Sequence, residues 1–98
     1  MNELDRLIHE PARLRIVALL SSVTEADFLW LQRESRLSKG NLSSHLGKLE
    51  EAGYLSIDKR FRGKIPQTLL SLTAAGRAAF QAYKQSLREL LHQDDPPG

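Results

Sequence analysis

The sequence of 98 residues contains no cysteine, one methionine and one tryptophan. Without cysteine, a disulfide framework, a thiolate metal site and a thiol redox switch are all excluded. No apolar run approaches the ~20 residues that a membrane-spanning helix requires. The N-terminus also lacks the basic and then apolar pattern of a signal peptide. We therefore expect a cytoplasmic protein.

The short motifs of common enzyme active sites are missing as well. The chain has no P-loop, no His-Glu-x-x-His and no Gly-x-Ser-x-Gly. The three histidines are scattered along the sequence, although His92 with Asp94 and Asp95 could bind a metal weakly. We expect no enzymatic activity, no cofactor and no resident metal.

The composition indicates one globular domain, because 41% of the residues are hydrophobic and 27% are charged. We assign residues 1–93 to this domain and residues 94–98, Asp-Asp-Pro-Pro-Gly, to a disordered tail. The net charge is only +2, but it is unevenly distributed. Residues 36–64 hold seven basic and three acidic side chains, a net +4, which leaves −2 for the rest. A basic middle region indicates a local anion-binding face.

The most informative stretch is residues 37–54. Leu42, Leu46 and Leu49 recur at the spacing of one face of an α-helix, Ser38 suits an N-cap, and Gly53 suits a C-terminal αL position. The opposite face is small, hydroxylated and lightly basic, although each glycine costs about 1 kcal/mol against alanine in a helix interior. Its residues are Gly40, Ser43, Ser44, Gly47, Lys48 and Glu51. Such a face suits close approach to the major groove of DNA, whereas the alternative is an ordinary amphipathic core helix.

Three shorter helices are predicted ahead of this stretch, over residues 3–9, 11–20 and 25–34. Pro11 suits the first turn of the second helix. Thr24, with an acid three residues later, is the predicted N-cap of the third. A connection at Arg36 and Leu37 joins this third helix to the next one, which predicts a helix-turn-helix.

After Gly53 the hydrophobic period changes from 3.6 to 2. Leu55 and Ile57 alternate with polar residues, and residues 67–72 form a return strand, which together predict a β-hairpin. The tip holds four basic residues around Gly63, in the sequence Lys-Arg-Phe-Arg-Gly-Lys. Charge at a hairpin tip can simply prevent edge pairing. Directly after a helix-turn-helix, however, it favours a wing that binds phosphates or enters the minor groove.

A last helix is predicted over residues 74–92, with Thr73 as its N-cap. At ~1.5 Å per residue it is roughly 28 Å long, so its last turns should extend beyond the core. An apolar stripe on this helix and apolar residues near the N-terminus need cover, and a two-fold partner is the simplest source. The predicted dimer interface comprises Leu4, Leu7, Ile8, Phe80, Tyr83, Leu87, Leu90 and Leu91.

This order of elements resembles the winged helix-turn-helix regulators of bacteria and archaea, in particular the short MarR-like and ArsR-like proteins. The resemblance rests on residues 37–54, on the basic tip at 59–64, and on Leu-Thr-Ala-Ala-Gly-Arg-Ala-Ala-Phe at 72–80. It implies a mainly α fold with a small β-hairpin, of α+β class, and a long C-terminal dimerisation helix. The chain departs from metal-sensing ArsR-like proteins in having no cysteine. It is also shorter than MarR-like proteins that enclose a ligand pocket, so any small-molecule effector is unknown.

The resemblance further implies a homodimeric transcription regulator, with repression as the expected mode, that binds double-stranded DNA. The recognition helix would span about residues 38–52 and the wing about residues 59–65. Matching positions predict DNA contacts from Ser38, Lys39, Asn41, Ser43, Ser44, Lys48, Lys59, Arg60, Arg62 and Lys64. For His45 we expect packing and hydrogen bonding before phosphate contact. The alternative function is a winged-helix protein-interaction module without specific DNA binding.

Overall fold

Four helices and a three-stranded antiparallel sheet form the fold in the computed structural model, which describes residues 4–93. In chain order these are α1 (Pro11–Ser21), β1 (Ala26–Asp27), α2 (Phe28–Ser35), α3 (Lys39–Glu51), β2 (Leu55–Arg62), β3 (Ile65–Leu72) and α4 (Ala74–His92). The winged-helix fold predicted from the sequence is confirmed. The predicted tail at 94–98 lies outside the described residues. Between residues 4 and 93 no helix is both long and apolar enough to cross a membrane.

Residues 6–8 form a turn where the sequence predicted a short helix over residues 3–9, so this prediction is wrong. The carboxylate of Asp5 accepts hydrogen bonds from the backbone N–H groups of Leu7 and Ile8, at 2.9 and 3.3 Å. Such side-chain bonds compete with helical ones. The first helix then begins at Pro11, as predicted, and Glu10 is its N-cap.

The start of α2 differs from the prediction because Asp27, and not Thr24, is the N-cap. One carboxylate oxygen of Asp27 accepts from the N–H groups of Leu29 and Trp30, at 2.8 and 3.4 Å. Ala26 and Asp27 also pair with Leu70 and Leu69 as the short strand β1. This strand occupies the edge of a sheet ordered β1-β3-β2.

Helix α3 follows the prediction at both ends. The Ser38 hydroxyl accepts from the N–H of Asn41 at 3.1 Å, which caps the N-terminus. Gly53, with φ of +82°, provides the left-handed residue beyond the C-terminus. The turn before α3 also uses a left-handed residue, Arg36, with φ of +61°.

The hairpin of β2 and β3 is longer than predicted. The register runs from Leu55 opposite Leu72 to Arg62 opposite Ile65. Gly63, with φ of +66°, forms the turn between the strands. The outer half of the hairpin therefore projects beyond the core, as expected of a wing.

The core is built from the apolar faces of all four helices and the sheet. It also includes three residues that the sequence analysis assigned to a dimer interface, and this assignment is corrected. Ile8, Phe80 and Tyr83 are buried within the single chain. The apolar stripe of α4 thus divides: its first part packs on the chain's own core, and only its last turns are open. Leu90 and Leu91 are 47% and 62% exposed, and Leu87, Leu4 and Leu7 are half-buried.

Candidate nucleic-acid interface

The outer face of α3 is exposed and consists of the small polar residues predicted to contact DNA. Its leucines, Leu42, Leu46 and Leu49, are buried on the opposite side. The exposed residues predicted for contact are Ser38, Lys39, Asn41, Ser43, Ser44 and Lys48. The helix is therefore held by its apolar face and presents donors and acceptors on the other.

Two glycines on α3 have no role in packing within residues 4–93. A Cβ built on Gly40 or Gly47 would have no neighbouring atom within 4 Å in that part of the chain. Gly76 of α4 contrasts with them, because its Cβ would lie 2.1 Å from the carbonyl oxygen of Tyr54. Gly76 is required by the fold, whereas Gly40 and Gly47 keep the outer surface of α3 smooth.

The back of α3 is held by a cluster of Glu10, Arg13 and His45. An Arg13 guanidinium nitrogen lies 3.2 Å from Nδ1 of His45, so this ring nitrogen accepts a hydrogen bond. Arg13 also donates from Nε to the carbonyl oxygen of Leu7 at 2.6 Å. The Glu10 carboxylate lies 3.7 Å from the same ring nitrogen, and the His45 side chain is only 20% exposed. His45 thus packs and bonds within the chain, as expected.

Hydrogen bonds to the carboxylates of Glu10 and Asp5 change two pKa values, that of Glu10 itself and that of Tyr54. Backbone N–H donation from Arg13 is the largest influence on the pKa of Glu10 and lowers it. Burial opposes this change, and a hydrogen bond from the N–H of Ala12 lowers the pKa further. The Tyr54 hydroxyl donates to the Asp5 carboxylate at 2.6 Å, and this bond raises the pKa of Tyr54. Tyr54 follows α3 directly, so the exit of the helix is fixed to the N-terminal turn.

The basic residues of the wing are all exposed, and they lie on both faces of the hairpin. Residues opposite one another in an antiparallel pair share a face, and neighbours along a strand alternate. Lys59 therefore shares a face with Ile57, while Arg60 and Arg62 lie on the other face. Arg60 forms an ion pair with Asp58. Lys59, Arg62 and Lys64 have no ion-pair partner within residues 4–93.

A cleft of about 530 Å³ separates α3 from the sheet, and the sequence analysis did not anticipate it. Lys39, Ser43 and Gly47 of α3 line one wall, and Lys59 and Pro66 of the wing line another. The cleft shows that the polar face of α3 and one face of the wing open to the same side of the domain. No sequence signal could locate it, because its walls come from separate elements.

The sequence predicted no metal site, because its histidines are scattered along the chain. Among the residues that the structure describes, no group of three or more His, Asp or Glu side chains could hold a metal ion. Asp94 and Asp95, considered with His92 from the sequence, lie outside that part of the chain.

Comparison with known proteins agrees with this geometry. The uncharacterized protein MJ0432 of Methanocaldococcus jannaschii is 33% identical over 86 residues, which cover 87% of this chain and 92% of that protein. A transcriptional regulator homologue from Pyrococcus horikoshii has a structure with a TM-score of 0.88 at 27% identity, covering 94% of this chain and 91% of that one. PcaV, a transcriptional regulator from Streptomyces coelicolor solved with its natural ligand, shares the fold, with a TM-score of 0.75 at 15% identity. That match covers 90% of this chain and 61% of PcaV.

The match to a protein family spans most of the chain. Residues 12–91, which include α1 to α4 and the wing, match the family described as winged helix DNA-binding domain. The predicted resemblance to winged-helix regulators is confirmed. The chain belongs to the winged helix DNA-binding domain family, and it shares its fold with the transcriptional regulators named above.

Proposed function

We propose that this protein is a sequence-specific transcription regulator that binds double-stranded DNA as a homodimer. In this proposal α3 lies in the major groove and the wing contacts the backbone or the minor groove. The observation on which the proposal depends is the outer face of α3, where exposed polar residues are backed by three buried leucines. The protein acts by binding and not by catalysis.

The exposed side chains of α3 have the chemistry for recognising base edges. An Asn41 amide can pair with adenine through two hydrogen bonds, and Lys48 can donate to guanine or to a phosphate. Ser43 and Ser44 can donate or accept with either. Because Gly40 and Gly47 add no side-chain bulk between them, the helix backbone can approach the bases closely.

The wing supplies attraction that does not depend on base sequence. Lys59, Arg62 and Lys64 are exposed, and none of them has an ion-pair partner among residues 4–93. Free cations of this kind bind phosphates and release condensed counterions, so the affinity should fall steeply with salt. Arg60 is partly neutralised by Asp58 and should contribute less than Arg62.

The dimer in this proposal forms through the last turns of α4 and the N-terminal turn. Leu90 and Leu91 are exposed, and Leu4, Leu7 and Leu87 are half-buried against the core. A two-fold partner offering the same residues would cover this surface. Such a dimer would present two copies of α3 to half-sites about one helical turn, ~10 bp, apart.

The test is fluorescence anisotropy of labelled duplex DNA, titrated with protein at several salt concentrations. Arg62→Ala should weaken binding to all sequences alike and reduce the salt slope by about 1. Arg33→Ala is the matched control, because it removes the same charge from an exposed position on α2 that belongs neither to the proposed DNA contacts nor to the proposed dimer surface.

Equal affinity of wild type and Arg62→Ala at every salt concentration would refute the role of the wing. Absence of DNA binding at low salt would refute the whole proposal. The alternative, a protein-interaction module, would then be examined by searching for a protein partner.

A further inference from the structure

The wing exposes a phenylalanine close to its basic residues. Phe61 is 72% exposed, and it lies between Arg60 and Arg62 near the tip of the hairpin. A second apolar residue at the tip, Ile65, is 68% exposed.

The register assigns these two residues to opposite faces of the hairpin. Phe61 lies opposite Pro66, and it shares its face with Lys59 and Ile57. This is the face that forms a wall of the cleft beside α3, to which Ile57, Lys59 and Pro66 contribute. Ile65 lies opposite Arg62, on the face turned away from α3. A surface that contacts α3 and this side of the wing together would therefore meet Phe61 directly and miss the short side chain of Ile65. From the same far face, only a long side chain such as Arg62 can extend its charged end around the hairpin to the phosphates.

The surroundings of Phe61 indicate what such a surface is made of. Residues 59–64 include four cations and no acid, and the nearby acid, Asp58, is already paired with Arg60. An aromatic ring that has Arg60 and Arg62 as chain neighbours and Lys59 on its own face fits a partner that combines negative charge with apolar faces. Duplex DNA has this combination, because phosphates border the groove and stacked bases lie within it.

We propose that Phe61 enters the minor groove beside α3's major-groove site and inserts between two base pairs. Apolar wedges of this kind unstack the bases and kink the duplex. The protein should therefore prefer base-pair steps that unstack easily, such as TA and CA, at the position of the wing. This preference needs no hydrogen bond to the bases of that step. This inference depends on the proposed DNA-binding function and adds the residue that selects deformable DNA.

The experiment uses the full chain and an operator obtained by selection with the wild-type protein. Duplexes with 2-aminopurine at successive positions report unstacking as an increase in fluorescence. Wild type should give this increase at one step in each flank. Phe61→Ala should abolish it and weaken binding about tenfold, within the range for loss of one base–aromatic contact. Because no charge is removed, the salt slope should not change.

Ile65→Ala is the matched control, since it removes a similarly exposed apolar side chain from the opposite face of the same hairpin. It should leave both affinity and fluorescence as in wild type. Both substituted residues are exposed, so both variants should fold, which circular dichroism checks.

The inference is overturned if wild type binds DNA without unstacking any base, or if Phe61→Ala and Ile65→Ala lose affinity equally. Either result would leave the DNA-binding proposal standing. If Phe61→Ala sediments differently from wild type while Ile65→Ala does not, this face contacts a second copy of the chain. That result would also overturn the insertion of Phe61 between base pairs. Failure of wild type to bind any duplex would overturn both proposals at once.

Discussion

Replacing three helical glycines with alanine should change stability in opposite directions. At Gly76, the new Cβ would lie 2.1 Å from the carbonyl oxygen of Tyr54 and 2.9 Å from its carbon. That oxygen also accepts the N–H of Thr73 at 3.0 Å, and the Thr73 hydroxyl donates to the carbonyl of Gly53 at 2.6 Å. The backbone that leaves α3 is thus fixed against the start of α4 and cannot easily move away.

The magnitudes follow from two opposing effects. Alanine is more favourable than glycine in a helix interior by about 0.8–1.0 kcal/mol. At Gly47 no described atom other than its chain neighbours and its own helix backbone lies within 4 Å of the new Cβ, so this gain should be realised. Gly40 is equally open, but it is the second residue of α3, so its gain should be smaller. At Gly76 overpacking costs about 1–3 kcal/mol or more, and the cost should lie at or above the upper end because the obstacle is backbone. After the alanine gain of about 1 kcal/mol is subtracted, the net change should be a loss of about 2 kcal/mol or more. For a domain of this size, 1 kcal/mol corresponds to a shift in Tm of about 4–8 °C.

The urea concentration at the midpoint of unfolding compares the stability of all three variants. The protein concentration must be the same in each measurement, because the midpoint of a dimer depends on it. Gly40→Ala and Gly47→Ala should raise the midpoint, and Gly76→Ala should lower it. If DNA lies against α3, Gly47→Ala should also bind DNA more weakly while being more stable. A Gly76→Ala protein as stable as wild type would refute the packing argument, and unchanged DNA affinity of Gly47→Ala would refute close approach at that position.

Three further predictions concern the interface and pH. Leu87→Asp should produce monomers in sedimentation, whereas Gln81→Asp, an exposed change on the same helix, should not; a dimer in both would contradict the proposed interface. A backbone hydrogen bond from Arg13 lowers the pKa of Glu10 in the folded state. The charged Glu10 therefore stabilises the fold above its ordinary pKa of about 4.3, and this stabilisation is lost as the pH falls through the lowered value. In acid unfolding, Glu10→Gln should lose less free energy of unfolding between neutral and acidic pH than wild type does. The hydrogen bond to Asp5 raises the pKa of Tyr54. The protonated hydroxyl therefore stabilises the fold below pH ~10, and this stabilisation is lost as the pH rises through the raised value. In Tyr54→Phe, the urea midpoint should fall less between neutral and alkaline pH than it does in wild type.

Helix α3 and the wing were predictable because their signals are local. Ser38 and Gly53 bound α3 through hydrogen bonds and a backbone angle that lie within a few residues of the helix. The change of period at Leu55 and the glycine at position 63 determine the hairpin in the same way. The exposed polar face of α3 follows directly once the leucines are assigned to the core.

At the N-terminal turn the nearby Asp5 carboxylate decides the structure, whereas the other errors arose where a distant partner decides it. β1 has only two residues, too few for a period, and it exists because Leu69 and Leu70 of β3 pair with it. Asp27, and not Thr24, is the N-cap of α2 because the pairing of β1 with β3 orients the Asp27 carboxylate. The second oxygen of this carboxylate accepts a hydrogen bond from the Gln67 amide at 3.3 Å. Phe80 and Tyr83 continue the same helical stripe as Leu87. Periodicity cannot tell whether such a stripe packs on its own core or on a partner.

The N-terminal turn connects the proposed dimer surface with the recognition helix. Its Asp5 carboxylate holds the Tyr54 hydroxyl at the exit of α3, and the carbonyl of Leu7 holds the Arg13 side chain that bonds His45 in the middle of α3. Leu4 and Leu7, half-buried on this turn, belong to the surface proposed for the partner. Because two separate hydrogen-bond routes lead from one turn to one helix, a shift of the turn would strain the position of α3. The spacing of the two recognition helices would thus be determined by the same residues that hold each helix in its own domain.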